Sequence, residues 1–314
     1  MKIGIGIGEI ALGAEGTPLG LPELAAEAQR AERDGFDSVW VANISGVDAL
    51  TTIALLGQQT QRIELGTAVV PTYPRHPVAM AQQALTTQAA CSGRFTLGIG
   101  LSHKVVIESS LGLSWAKPFS HMREYLAVLA PLIREGRVRF KGEEFTVTSM
   151  LRVPGATPCP ILVAALAPKM LALAGQVADG TCTWMTGQKT VREHVAPSIQ
   201  QAAAAAGRPA PRIAVALPIA VSDDVAAARA AAARRYAVYG SLPSYRAMLD
   251  REGAPGPGDV AVVGSEDAVL EQLAAFASAG ATDFVAAPFP VGDDPAASLE
   301  RTRTTLLRYA RAER

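Results

Sequence analysis

RIELGTAVVPTYPRHPVAMAQQALTTQAACSGRFTLGIG, residues 62–100, decides how this chain folds. Residues 62–70 form an apolar run suited to a buried strand. Pro77, with His76 before it, opens a helix that runs to about Cys91. Proline suits the first helical position because its missing N–H would have had no partner there. Residues 94–100 form the next strand. Two strands joined through a helix must lie parallel, with both faces covered.

The same unit recurs on both sides. KIGIGIG (2–8) reads as a strand, with a helix over 22–35 marked by apolar residues at helical spacing and a terminal glycine. A strand (36–42) and a helix (47–60) lead into the quoted segment. Beyond it come a long helix (119–136), then strands at 158–166, 181–187, 212–221 and 282–289. Helices are expected at 168–180, within 190–206, and at 223–239, 243–252, 265–280 and 296–311. Residues 138–149 alternate apolar and polar around Lys141-Gly142, which predicts a β-hairpin insertion. Residues 253–264, rich in Gly and Pro, read as a loop. Eight strands alternating with helices predict an α/β fold, a (β/α)8 TIM barrel. An open doubly wound sheet is the other arrangement.

The 314 residues suit one barrel domain over 1–314, which needs roughly 250 residues before insertions. Insertions are expected near 105–118, 138–149 and 240–262. Apolar residues make up 49%, charged residues 18%, and the net charge is zero, so a large core is affordable and nucleic acid is a poor partner. Cys91, Cys159 and Cys182 match neither a disulfide framework nor a metal-binding pattern, and read as reduced thiols of a cytoplasmic protein. No metal site is expected. No signal peptide and no membrane-spanning run of ~18 apolar residues is visible.

In a parallel barrel, chemistry lies at the C-terminal ends of the strands. Glu9 follows the first strand, and Asn43 to Asp48 follow the second. Pro71, Pro74 and Pro77 make either a stiff wall for a flat ring or a proline-rich turn. Gly98 and Gly100 would let a ligand approach the backbone, and lead to Ser102, His103 and Lys104. Ala165 to Lys169 turn from a strand into a helix whose free N–H groups face the site. Trp184, Thr186 and Gly187 close the sixth strand, where Trp184 is either a ring wall or core. His121 and His194 read as surface or packing residues. Walker and Rossmann glycine patterns and a nucleophile elbow are all missing.

Taken in order, KIGIGIGEI, FDSVWVAN, the segment 66–104, REYLAVLAPLI, VAALAPKMLALAGQVADGTCTWMTG and AGATDFVAAPF resemble the luciferase-like family of flavin and deazaflavin oxidoreductases. PTYPRHP is similar to the deazaflavin-using branch. The resemblance implies a luciferase-like barrel with coenzyme F420 across the strand ends, FMN being the alternative cofactor. It implies a non-proline cis peptide at Ala68-Val69, with Ala68, Val69 and Val70 behind the ring and Asn43 at its edge. Phosphate contacts map to Ser102, His103, Ala165, Pro168, Lys169, Thr186 and Gly187. The family's sugar-phosphate dehydrogenases carry an Asp-His pair after strand two. Here Asn43 and Ile44 stand there, which favours reduction of a C=C or C=N bond over alcohol oxidation. Glu9 and His103 are the expected catalytic proton donors, Trp184 a cofactor contact, and the partners a small organic substrate and a second copy in a homodimer. The rival readings are an FMN-dependent monooxygenase using O2 and a non-catalytic flavin-binding barrel.

Overall fold

The structure is a computed structural model and describes residues 1–9 and 19–312. Its strands, in chain order, are β1 (Lys2–Ile7), β2 (Ser38–Val41), β3 (Glu64–Thr67), β4 (Val70–Pro71), β5 (Phe95–Gly100), β6 (Arg137–Lys141), β7 (Thr146–Met150), β8 (Ile161–Val163), β9 (Gly180–Trp184), β10 (Arg212–Val221), β11 (Val262–Gly264) and β12 (Asp283–Pro288). The order β1-β2-β3-β5-β8-β9-β10-β12 returns to β1 through parallel pairings throughout, so the barrel is closed and the open-sheet alternative is excluded. β6 and β7 form the expected antiparallel hairpin.

The third strand is interrupted where the resemblance implied: β3 stops at Thr67, the Ala68–Val69 peptide is cis as expected, and β4 resumes beside the end of β5. One element departs from the sequence reading. Residues 253–264 are not a loop. Pro257–Val260 is a short helix, and β11 pairs parallel with the end of β10. Pro and Gly there start and end elements instead of preventing them.

Strand residues alternate between lumen and helix layer. Ile3, Ile5, Val39, Val41, Leu65, Leu97, Ile99, Val163, Val215 and Phe284 face outward into the main core. The opposite set fills the lumen in layers. At the N-terminal end, Arg212 bridges Glu64 and Asp283 at 2.6 Å each, and Thr96 donates to Glu64 at 2.6 Å. The middle layer holds Trp40 with Leu162, Cys182, Ala214, Ala216 and Val285. The indole needs missing side chains around it. A Cβ on Gly66 would lie 2.4 Å from the Trp40 ring, and one on Gly4 would lie 2.8 Å from its nitrogen. The top layer is Ala42, Ala68, Ala287 and Trp184.

Gly98 and Gly100 serve the interrupted strand. A Cβ on Gly98 would fall 1.9 Å from the Thr67 carbonyl oxygen, and one on Gly100 would fall 2.7 Å from the Val69 side chain. Thr67 Oγ1 donates to the Gly98 carbonyl and accepts from its N–H, both at 2.9 Å, restoring bonds that the interruption removes. Gly98 therefore admits neighbouring backbone and Gly100 a neighbouring side chain, where the sequence reading expected a ligand.

The Arg212 bridge yields a stability prediction. Arg212→Leu strands two carboxylates in the barrel floor and should lower the free energy of unfolding by roughly 3–5 kcal/mol in urea titration. Asp283→Asn in that background should recover part of the loss. A change below about 1 kcal/mol, as for a surface ion pair, would contradict the role assigned to the bridge.

Candidate active site

The top layer is the floor of the candidate site. Ala68, Val69, Ala164 and Trp184 all pack on the lumen clusters, yet each keeps partial exposure, so the mouth opens down to them. Two expected contacts lie elsewhere. Val70 and Ala165 are fully buried and belong to the outer core, because strand alternation turns them toward the helices. Neither has a surface open to the mouth; the lumen-facing positions beside them are Val69 and Ala164.

Glu9 holds the loop after β2. Its carboxylate accepts from Ile44 N at 3.2 Å, Ser45 N at 3.0 Å and Ser45 Oγ at 2.7 Å. Burial pushes its pKa up, but the bonds from Ser45, Gly46 and Ile44 together outweigh that and hold it below the ordinary 4.5. It is an anion at neutral pH with its acceptor sites occupied, which does not suit the proton-donor role expected of it. Asn43 is likewise engaged, its Oδ1 accepting from Ala49 N at 3.0 Å at the start of helix Ala49–Gln59. Asp48 caps the same helix and pairs with Arg75.

The turn after β4 is a structural proline-rich turn. Pro74 is exposed, and Pro77 starts helix Pro77–Ala90 with His76 as N-cap. Thr72 donates to the Gly100 carbonyl at 2.9 Å, and its hydroxyl lies 3.1 Å from His121 Nε2. Tyr73 stacks on His121 at 4.1 Å and on Trp115 at 5.2 Å. His121 is buried, and desolvation lowers its pKa to about 4, so it is neutral packing. His194 is buried too, with Nε2 2.7 Å from the Leu166 carbonyl.

Ser102 takes a left-handed backbone, φ 66°, and hands the chain to His103. Burial lowers the His103 pKa, so the imidazole is neutral at physiological pH. His103 meets Tyr245 edge-on at 5.2 Å. Tyr245 meets Tyr239 at 5.5 Å, Tyr239 meets Trp184 at 5.6 Å, and Trp184 meets Tyr236 at 5.7 Å. Residues 236–245 thus fold over the mouth and join the loop after β5 to the end of β9. Burial, then the Glu9 charge, raises the Tyr239 pKa; burial does the same to Tyr245. The two tyrosines come from the segment 240–262 and its approach, whose chemistry could not be read from sequence because the contacts are with residues far away in the chain.

Thr186 and Gly187 do not offer an open phosphate cradle. Thr186 is buried and donates to the Trp184 carbonyl at 3.1 Å. Past Gly187, the Lys189 and Thr190 amides donate to Glu252 at 3.0 and 2.7 Å. That carboxylate already occupies the positive end of the helix. A Cβ on Gly187 would fall 2.3 Å from the Glu252 carboxyl carbon, so glycine here admits the side chain that anchors helix Pro243–Glu252. Pro168 and Lys169 are exposed at the start of helix Pro168–Val177. The three cysteines are buried and free, with burial pushing Cys182 up to about 12, so they are unreactive thiols. Among the described residues no His, Cys, Asp and Glu cluster could hold a metal ion. No helix there is long and apolar enough to cross a membrane. A surface cavity of about 420 Å³ lies between helices Leu21–Asp34 and Ala49–Gln59, away from the strand ends and lined by no titratable side chain.

The model of the luciferase-like monooxygenase family matches residues 1–283. The chain belongs to the luciferase-like family. It is 32% identical to the F420-dependent glucose-6-phosphate dehydrogenase of Beutenbergia cavernae over 295 residues, covering 89% of this chain and 82% of that protein. The coenzyme F420-dependent tetrahydromethanopterin reductase of Methanopyrus kandleri superposes with a TM-score of 0.78 at 19% identity, over 98% of this chain and 96% of that one. The oxygenating constituent of Pseudomonas putida 3,6-diketocamphane monooxygenase, in complex with FMN, superposes with a TM-score of 0.74 at 19% identity over 98% of both chains. The two structures establish the shared barrel.

Glu9 gives a pH test. A carboxyl with a lowered folded-state pKa stabilises the fold above its ordinary 4.5, and the contribution is lost as pH falls through the lowered value. Glu9→Gln should lower the thermal midpoint at neutral pH, with the gap to the parent closing under acid conditions. A gap that persists in acid would show that the anion is not what holds residues 44–46.

Proposed function

We propose that this luciferase-like chain is a coenzyme F420-dependent oxidoreductase that transfers hydride between the deazaflavin C5 and a small organic substrate, reducing a C=C or C=N bond. The observation that carries this reading is the mouth itself. Ala68, Val69 and Ala164 keep partial exposure over the lumen, and Trp184, Tyr239 and Tyr245 wall the space around them with aromatic rings. Such a floor fits a flat ring system. The deazaflavin would rest on Ala68 and Val69. Ser102, His103 and the turn through Ala164, Pro168 and Lys169 would take its phosphate-bearing arm. When bound, the cofactor supplies a hydride donor or acceptor; the protein's part is to bind, orient and exclude water.

The choice of coenzyme F420 over FMN rests on likeness to the Beutenbergia cavernae dehydrogenase. The preference for reduction rests on the loop after β2. Asn43 is committed to capping a helix, Ile44 is exposed, and Glu9 is held by backbone amides, so none is placed as a base for a hydroxyl group.

The purified protein should quench coenzyme F420 fluorescence on binding, and should consume reduced F420 when given a cyclic enone or a cyclic imine. Tight FMN binding without F420 quenching, and substrate oxidation that depends on O2, would overturn the deazaflavin assignment in favour of a monooxygenase.

A further inference from the structure

We propose that the Trp184 indole N–H is the hydrogen-bond donor to a substrate carbonyl oxygen, and that the substrate class is the α,β-unsaturated carbonyl compounds. This rests on the reductase reading above and chooses between its two bond types.

Trp184 ends β9 and points into the lumen beside Ala42, Ala68 and Ala287. Its Nε1 is buried without a partner. Trp40, in the layer below, shows what a buried indole ordinarily finds: its Nε1 donates to Ser38 Oγ at 2.8 Å. Leaving such a donor unpaired costs about 1–3 kcal/mol, so the indole favours an acceptor that reaches it. Indole is a donor only and does not ionise in the physiological range. It can polarise an acceptor but cannot give its proton away.

The neighbouring groups supply no ready acid. Glu9 is ionised and bonded to the loop at 44–46, His103 is neutral, and burial makes the phenols of Tyr236, Tyr239 and Tyr245 weaker acids, the Tyr236 hydroxyl being buried without a partner like the indole N–H it neighbours. Reduction of a C=N bond is fastest on the protonated nitrogen and calls for an acid at that atom. A conjugated carbonyl needs only a donor. Hydride adds to the β-carbon, the C=C electron pair moves onto the carbonyl oxygen, and Trp184 N–H stabilises that oxygen as charge develops. Solvent protonates the α-carbon, giving the saturated ketone as reduced deazaflavin is oxidised by two electrons. Tyr239, Tyr245 and Tyr236 present ring surface around the same donor, and the exposed Ile44 follows the end of β2, consistent with an uncharged substrate.

The chain holds three tryptophans, Trp40, Trp115 and Trp184, so a nitrogen-15 spectrum resolves three indole N–H signals. Protein carrying oxidised coenzyme F420 is titrated with cyclohexanone and cyclohexenone, and Trp184→Phe identifies its signal by loss. The proposal expects that signal alone to move downfield. It also expects kcat for cyclohexenone, measured with reduced F420 at concentrations that saturate each protein, to fall ~10²–10³-fold in Trp184→Phe. An unmoved signal, or an undiminished kcat in a folded Trp184→Phe, would overturn it, as would faster reduction of pyrroline, a cyclic imine, than of cyclohexenone. If the parent fails to bind F420, the reductase reading fails by itself. The indole titration on the cofactor-free protein then still decides the role of Trp184, and needs no variant to be active.

Discussion

Everything above the middle of the barrel depends on Trp40 filling the lumen. The indole is fully buried, and its nitrogen is satisfied by Ser38 two residues earlier on the same strand. Close packing leaves no space for a second bulky group at that level, which is why β1 and β3 carry Gly4 and Gly66 where the ring passes. The lumen is therefore closed from Trp40 downward, and the Arg212 bridge to Glu64 and Asp283 seals the far end. Among the described residues, what the lumen leaves to a ligand is the layer of small alanines above Trp40.

What shapes that layer is the interruption between β3 and β4. Thr67 exchanges hydrogen bonds with Gly98, and Val69 packs over Gly100, so the glycines of β5 and the break in the third strand are one structural unit. Around it the polar groups fall into two kinds. Glu9, Asn43, Asp48, Thr186 and Glu252 are committed to loops and helix ends. Trp184 Nε1 and the Tyr236 hydroxyl beside it are uncommitted. Chemistry at this mouth is therefore better suited to orienting and polarising a substrate than to moving protons to it.

The barrel was legible in the sequence because short apolar runs separated by period-3.6 helices admit few topologies, and a hairpin signal as regular as residues 138–149 reads directly. The site was only partly legible, and the failures have physical causes. Val70 and Ala165 sit next in sequence to lumen residues, but a shift of one residue along a strand reverses the face. Gly98 and Gly100 signalled a close approach correctly, yet nothing local says whether a ligand or the chain's own backbone arrives there. Thr186-Gly187 resembled a phosphate cradle because Glu252, the anion that fills the neighbouring helix end, lies more than 60 residues away. Ala42 and Ala287 were recoverable: they continue the alternation set by Trp40 and Val285.

If Trp40 confines the ligand to the alanine layer beneath residues 236–245, a crystal structure of the protein with oxidised coenzyme F420 will show it. Ring density should rest on Ala68 and Val69, above Trp40, with open space between the ring and Trp184 on its substrate side. Ring density outside the barrel mouth, or with Trp40 displaced to admit it, would rule out that confinement.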